Sequence, residues 1–164
     1  MTQVFVGVGS NVDRDHSIRD GIKALRAAYG PLRMSTVWDN PAVGFVGDPF
    51  LNLVVAFDTD RPASAVATML DRIEIRFGRT RAGDRKLLAR ALDLDLLLYG
   101  DAVLDGDGVR VPRAEILEYA FVLAPLAELA PDLQHPLAGR TYRELWAEFK
   151  GDKAVLRKVV LDCS

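Results

Sequence analysis

Two aspartates, Asp93 and Asp95, sit in the stretch Arg90-Ala91-Leu92-Asp93-Leu94-Asp95-Leu96-Leu97-Leu98-Tyr99. Strand side chains repeat every two residues, so both carboxylates project from one face while Leu92, Leu94 and Leu96 project from the other. Neighbouring carboxylates repel each other, and a cation between them relieves the repulsion. Hard divalent ions, Mg²⁺ above all, suit such oxygen donors and usually arrive with phosphates. The pair by itself also fits an edge strand with a solvated polar face. Just upstream, residues 79–90 carry Arg79, Arg81, Arg85, Lys86 and Arg90 against one acid, Asp84. Guanidinium groups bind phosphate oxygens bidentately, so this stretch beside a carboxylate pair is suited to a polyphosphate; alone, it reads as a solvated basic loop. Asn52 is a polar residue in an otherwise apolar strand, and a partly buried amide needs partners, a ligand among them.

Around these groups the chain alternates strand and helix signals. Gln3 to Val8 is a β-branched and aromatic strand stopped by Gly9-Ser10-Asn11. Asp13 or Asp15 caps a helix to about Tyr29, with Ile18, Ile22 and Leu25 facing inward and Gly30-Pro31 ending it. Leu32 to Trp38 is a second strand and Phe50 to Asp58 a third. The Pro/Gly-rich connection between them, 39–48, holds Val43, Phe45 and Val46. It suits either a ligand wall or a loop folded onto the core. Pro62-Ala63-Ser64 opens a helix with the stripe Val66, Met69, Leu70, Ile73 and Phe77. Asp71 and Glu74, three apart, share one flank, which alone reads as solvated.

Beyond the Asp93/Asp95 strand, Ala102-Val103-Leu104 and Val109-Arg110-Val111 form a hairpin around Asp107-Gly108. Residues 115–128 are helical in two pieces broken near Pro125. His135 is expected at the surface, 141–149 is a short helix, and 154–161 is a last strand. The β-α-β-β-α-β order predicts an α+β, ferredoxin-like antiparallel sheet with an added hairpin and C-terminal helices, helices covering both faces. A parallel doubly wound fold needs a helix between the second and third strands, where only the loop at 39–49 lies.

The 164 residues predict one domain, 1–164. A net charge of −2, with 21 basic and 23 acidic residues, argues against a general nucleic-acid binder. The one cysteine, Cys163, excludes an intrachain disulfide or a cysteine-built metal site. The N-terminal stretch lacks the basic segment and long apolar core of an export signal, and no apolar run is long enough to span a membrane. A cytoplasmic monomer acting on small molecules is expected.

Taken together, Gly9-Ser10-Asn11, Pro49-Phe50-Leu51-Asn52, Arg72-Ile73-Glu74 with Gly78-Arg79-Thr80-Arg81, and Arg90-Ala91-Leu92-Asp93-Leu94-Asp95 resemble the 6-hydroxymethyl-7,8-dihydropterin pyrophosphokinase family. The likeness runs nearly the length of the chain, through Pro125-Leu126-Ala127-Glu128-Leu129-Ala130-Pro131. It implies an Mg-dependent diphosphotransferase of folate biosynthesis, moving pyrophosphate from the co-substrate ATP to the hydroxymethyl of a reduced pterin and leaving AMP. By this resemblance Asp93 and Asp95 bind two Mg²⁺, and Arg79, Arg81 and Arg90 hold and neutralise phosphates. Asp71 and Glu74 match positions near the nucleotide, and Arg113 is placed to meet a phosphate. Asn52 reads the pterin edge, Phe50 and Phe121 form stacking walls, and the backbone around Asn40, Pro41 and Val43 lines the pocket.

Several positions depart from the family pattern. Leu87-Leu88-Ala89 stand where it has Trp-Gly-Pro, Arg113 where it has a histidine, and Tyr119 where it commonly has an arginine. Two alternatives stay open beside the standard reaction: a paralogue binding pteridine or nucleotide without turnover, and a pyrophosphokinase with a shifted pterin substrate.

Overall fold

The structure is a computed structural model and describes residues 1–41, 47–77 and 91–164. Its frame is an antiparallel sheet laid around strand β1 (Thr2–Ser10). Helix α1 (Arg14–Tyr29) follows, then β2 (Arg33–Met34), β3 (Val37–Asn40) and β4 (Phe50–Thr59). Helix α2 (Ala63–Arg76) leads to β5 (Asp93–Tyr99), which carries the aspartates. The strand order is β5-β1-β4-β3, extended at its outer edge by β8 (Arg157–Val159), and β2 pairs with β4 beside β3. This is the ferredoxin-like arrangement that the element order predicts.

Central β1 is buried on both faces, with Val4, Phe5 and Val6 each at most 1% exposed. Alternation sends Val4, Val6, Val8, Leu53, Val55, Leu94 and Leu96 to one face, where Ile18, Ile22 and Leu25 of α1 and Val66, Leu70 and Ile73 of α2 cover them. The opposite face, with Phe5, Val54, Ala56, Leu97 and Leu98, lies under α3 (Glu115–Glu118), α4 (Ala120–Leu129) and α5 (Tyr142–Glu148). Helices therefore cover both faces, as expected.

Strand β5 is an edge strand with a bulge. Val6 pairs with Leu96 and Phe5 with Leu98, so Leu97 is the extra residue. The β6 (Leu104–Gly106) and β7 (Val109–Val111) hairpin turns through Asp107 and Gly108 at φ 54° and 77°, the two positive values that a two-residue turn of this hand requires.

Several expectations are corrected. The second strand is split into β2 and β3. Ser35 lies between them, its N–H donating to the Val54 carbonyl and its hydroxyl accepting from the Val54 N–H (2.9 Å each), so a side chain takes one rung of the ladder. Asp13 flanks α1 in a left-handed conformation and makes no side-chain cap bond. The break in 115–128 falls at extended Tyr119, not at Pro125, which lies inside α4. Pro125 removes one N–H from the ladder, and burial of most of α4 outweighs that loss. His135 is buried, not at the surface: its Nδ1 accepts from the N–H groups of Leu137 and Ala138 at 3.1 and 3.0 Å. Glu74 does not share the exposure of Asp71; it is 1% exposed.

Candidate functional site

The residues of interest meet where β5, β1, β4 and β3 run side by side. One cross-strand row reads Asp93, Gly9, Asn52, Trp38, and the next reads Asp95, Gly7, Val54. Residues opposite one another in an antiparallel sheet share a face, and strands are about 4.8 Å apart. Asp93 and Asn52 thus project from the same face about 10 Å apart, with a residue lacking a side chain between them. The gap at Gly9 is needed: a Cβ there would lie 2.7 Å from Asn52 Oδ1. At Gly7 a Cβ would make ordinary contact with Leu97 at 3.6 Å, so Gly7 is not required in the same way.

On the carboxylate side, Asp93 and Asp95 are half-buried while Leu92, Leu94 and Leu96 are buried. The open edge of β5 is closed between the aspartates by Glu74, whose Oε2 accepts the Leu94 N–H at 2.8 Å. Arg113 lies alongside. Its Nη2 is 3.3 Å from Asp95 Oδ1 and its Nε donates to Glu115 Oε2 at 2.8 Å. Its backbone N–H donates to the carbonyl of the bulged Leu97 at 3.0 Å, which seats it beside the edge strand. Burial disfavours the Arg113 charge, and the Asp95, Glu115 and Asp93 carboxylates more than offset this, so its pKa is raised.

No group of three or more histidine, cysteine, aspartate or glutamate side chains suited to a metal occurs among the described residues. Two hard carboxylates on one face nevertheless fit an ion such as Mg²⁺, which takes one or two carboxylates and completes its shell with water and substrate phosphates.

On the amide side, Asn52 Nδ2 donates to Asn40 Oδ1, and Asn40 Nδ2 donates to the Pro41 carbonyl at 3.2 Å. Asn40 is 4% exposed, so the pair is a fixed polar unit rather than a solvated one. Beside it is a cavity of about 180 Å³ lined by Asn40, Pro41, Tyr119, Phe121, Phe149 and Val155, among others. The rings of Tyr119 and Phe121 stack with centroids 5.0 Å apart and planes at 20°. Phe50 and Asn52 share one face of β4 but do not line this cavity. The wall formed by Phe149 and Val155 had no signal in the sequence, because it is a contact between distant segments.

Both ends of the connection between β3 and β4 are tied to the start of α1. Arg14 forms a bidentate pair with Asp39 at 3.0 and 2.9 Å and donates to the Pro49 carbonyl at 3.3 Å. Asn11 Nδ2 donates to the Asp48 carbonyl at 3.4 Å. The side-chain bond to Asp39 is the largest influence on Arg14 and raises its pKa. Sequence spacing did not reveal this brace, since its members are 25 residues apart.

Of the predicted site residues, Asp93, Asp95 and Arg113 come together, as do Asn40, Pro41 and Phe121. Glu74 lies against β5, and Asp71 is exposed on α2. Val43, Arg79, Arg81 and Arg90 lie outside the described residues, as do Leu87-Leu88-Ala89.

Known proteins share this architecture and sequence. A crystal structure of an HPPK-DHPS in complex with substrates superposes with a TM-score of 0.69 at 10% identity, covering 90% of this chain and 43% of that one. Wild-type Plasmodium falciparum HPPK-DHPS gives 0.64 at 12% identity, covering 90% and 44%. At these identities the likeness shows the fold, and this chain spans less than half the length of those proteins.

Sequence relatives match nearly end to end. The 2-amino-4-hydroxy-6-hydroxymethyldihydropteridine pyrophosphokinases of Methylorubrum extorquens and Pseudomonas aeruginosa are 34% and 37% identical. They cover 90% and 88% of this chain, which in turn spans 94% and 90% of theirs. That of Aquifex aeolicus is 31% identical over 94% of both. Residues 5–131 match the family model of 7,8-dihydro-6-hydroxymethylpterin-pyrophosphokinase, an interval that holds every residue of the row from Asp93 to Asn52, and the chain belongs to that family.

Proposed function

We propose that this protein transfers the pyrophosphoryl group of ATP to the hydroxymethyl oxygen of 6-hydroxymethyl-7,8-dihydropterin. In that reaction the oxygen forms a bond to the β-phosphorus, the bond from that phosphorus to the oxygen bridging the α-phosphate breaks, AMP departs and the hydroxyl proton is lost. The observation that carries the reading is the row Asp93, Gly9, Asn52. It sets a carboxylate pair and a fixed amide on one face, separated by a bare strip across which two substrates can meet.

Asp93 and Asp95 hold Mg²⁺, which when bound neutralises and orients the triphosphate. Positioning and charge stabilisation supply most of the rate in phosphoryl transfer. Asn52, held by Asn40, presents its amide to the pterin edge, and Phe121 forms an aromatic wall. Arg79, Arg81, Arg90 and Arg113 neutralise phosphate charge, and Asp71 and Glu74 lie toward the nucleotide. Val43, Pro41 and Phe50 complete the pterin side. Residues 1–164 act as one domain, as a monomer in the cytoplasm. No described helix is long and apolar enough to cross a membrane.

The direct test is AMP formation from ATP, Mg²⁺ and hydroxymethyldihydropterin. Folded protein that makes no AMP above background sinks the proposal. Asp95→Asn should lower turnover at least about a hundredfold, as loss of a transition-state charge partner does. Near-normal rates would remove the metal assignment. A second reading, binding without turnover, is favoured by Tyr119, which stacks on Phe121 where the family resemblance leads one to expect a cation. It predicts calorimetric binding of pterin or nucleotide with no AMP.

A further inference from the structure

We propose that Arg113 is a resident counter-ion of the carboxylate pair, seated on Asp95 until a divalent cation displaces it, so that cation loading and release of the guanidinium are one coupled event. This rests on the reading of Asp93 and Asp95 as the cation seat.

The geometry carries it in three steps. First, Arg113 Nη2 is 3.3 Å from Asp95 Oδ1, so it occupies one oxygen of the carboxylate read as a cation seat. A guanidinium is charged at every working pH, so it cannot yield the position by losing a proton. A divalent ion at the same carboxylate repels it, and the guanidinium yields by moving. Second, the movement has a pivot. Nε is held by Glu115 at 2.8 Å, and the Arg113 backbone is bonded to Leu97, so the head group leaves Asp95 without leaving the site. Third, a guanidinium displaced but still tethered would remain in the site, where phosphates completing the cation's shell would accept its N–H groups.

The consequence is reciprocal coupling. The cation alone must compete with Arg113 and binds weakly, whereas the cation with a polyphosphate gives the displaced guanidinium a new partner and binds more tightly.

The experiment is titration of the whole protein with Mn²⁺ without nucleotide, followed by electron paramagnetic resonance or calorimetry. The neutral variants Arg113→Gln and Arg113→Met should bind Mn²⁺ about tenfold more tightly than the wild type, a typical coupling factor. Arg113→Lys, which keeps the charge, should stay near wild type. Circular dichroism confirms folding of each. In the wild type, the Arg113 Nε–H resonance should shift saturably with Mg²⁺, at the same midpoint as Mg²⁺ binding measured by calorimetry. An unchanged or weaker Mn²⁺ affinity in the folded neutral variants overturns the proposal, as does an Arg113 resonance indifferent to Mg²⁺. If Asp95→Asn binds Mn²⁺ with ATP as well as the wild type does, the cation-seat reading beneath it fails instead.

Discussion

A Cβ on Gly9 would lie 2.7 Å from Oδ1 of Asn52, two residues directly opposed on β1 and β4. Asn52 is not free to swing away, since its Nδ2 is bonded to Asn40. The absence of a side chain at Gly9 is therefore what lets the amide hold its place on the floor between the carboxylates and the cavity.

Gly9→Ala should cost about 1–3 kcal/mol, the usual penalty of overpacking, and should raise the KM for pterin more than that for ATP. Gly7→Ala is the control. Its methyl group meets Leu97 at an ordinary 3.6 Å, so its stability should remain near wild type. Thermal unfolding and steady-state kinetics of the two variants check this. Equal destabilisation by both would contradict the steric account.

Glu74 is a buried acceptor for the N–H of Leu94, the residue between the aspartates. Removing it in Glu74→Ala leaves that N–H without this acceptor and should cost about 1–3 kcal/mol. Turnover should fall with it, because the strand segment carrying Asp93 and Asp95 is less firmly held. Glu74→Gln keeps an acceptor oxygen and should recover most of both losses. Urea denaturation with parallel kcat measurement tests the pairing; a glutamine variant as impaired as the alanine would show that charge, not the bond to Leu94, is what matters.

His135 supplies a pH dependence. Burial lowers its pKa below the ordinary 6.5, and its Nδ1 accepts two backbone bonds that require it unprotonated. The unfolded chain thus takes up a proton before the folded one does. The stabilisation is complete above pH 6.5 and is lost as pH falls from there through the folded pKa. Denaturant titrations at neutral pH and near pH 5 should show this loss in the wild type, and a shallower dependence in His135→Asn. Parallel curves for the two would assign the acid sensitivity elsewhere.

Local patterns foretold much of the fold because their causes are local. Alternation in β1, β4 and β5, the apolar stripes of α1 and α2, and Asp107-Gly108 in the hairpin each depend on neighbours within a few residues. Misplacements arose where a distant partner intervened. Ser35 interrupts a strand because its hydroxyl accepts the Val54 N–H, and His135 is inside because the chain from Leu137 to Arg140 closes over it. Pro125 stays helical because α4 is buried around it.

For the site, residue types and order alone determined that Asp93 and Asp95 share a face, that Asn52 is an anomalous amide, and that the chain is of this family. Side-chain periodicity and motif spacing are properties of the chain itself. That Gly9 separates the two halves, that Glu74 closes the strand edge, that Arg14 braces Asp39, and that Arg113 already rests on Asp95 come from the packing of the folded chain. Each of these is a meeting of segments far apart in sequence, fixed by sheet register and by the burial of charge, and neither is written in any one stretch of residues.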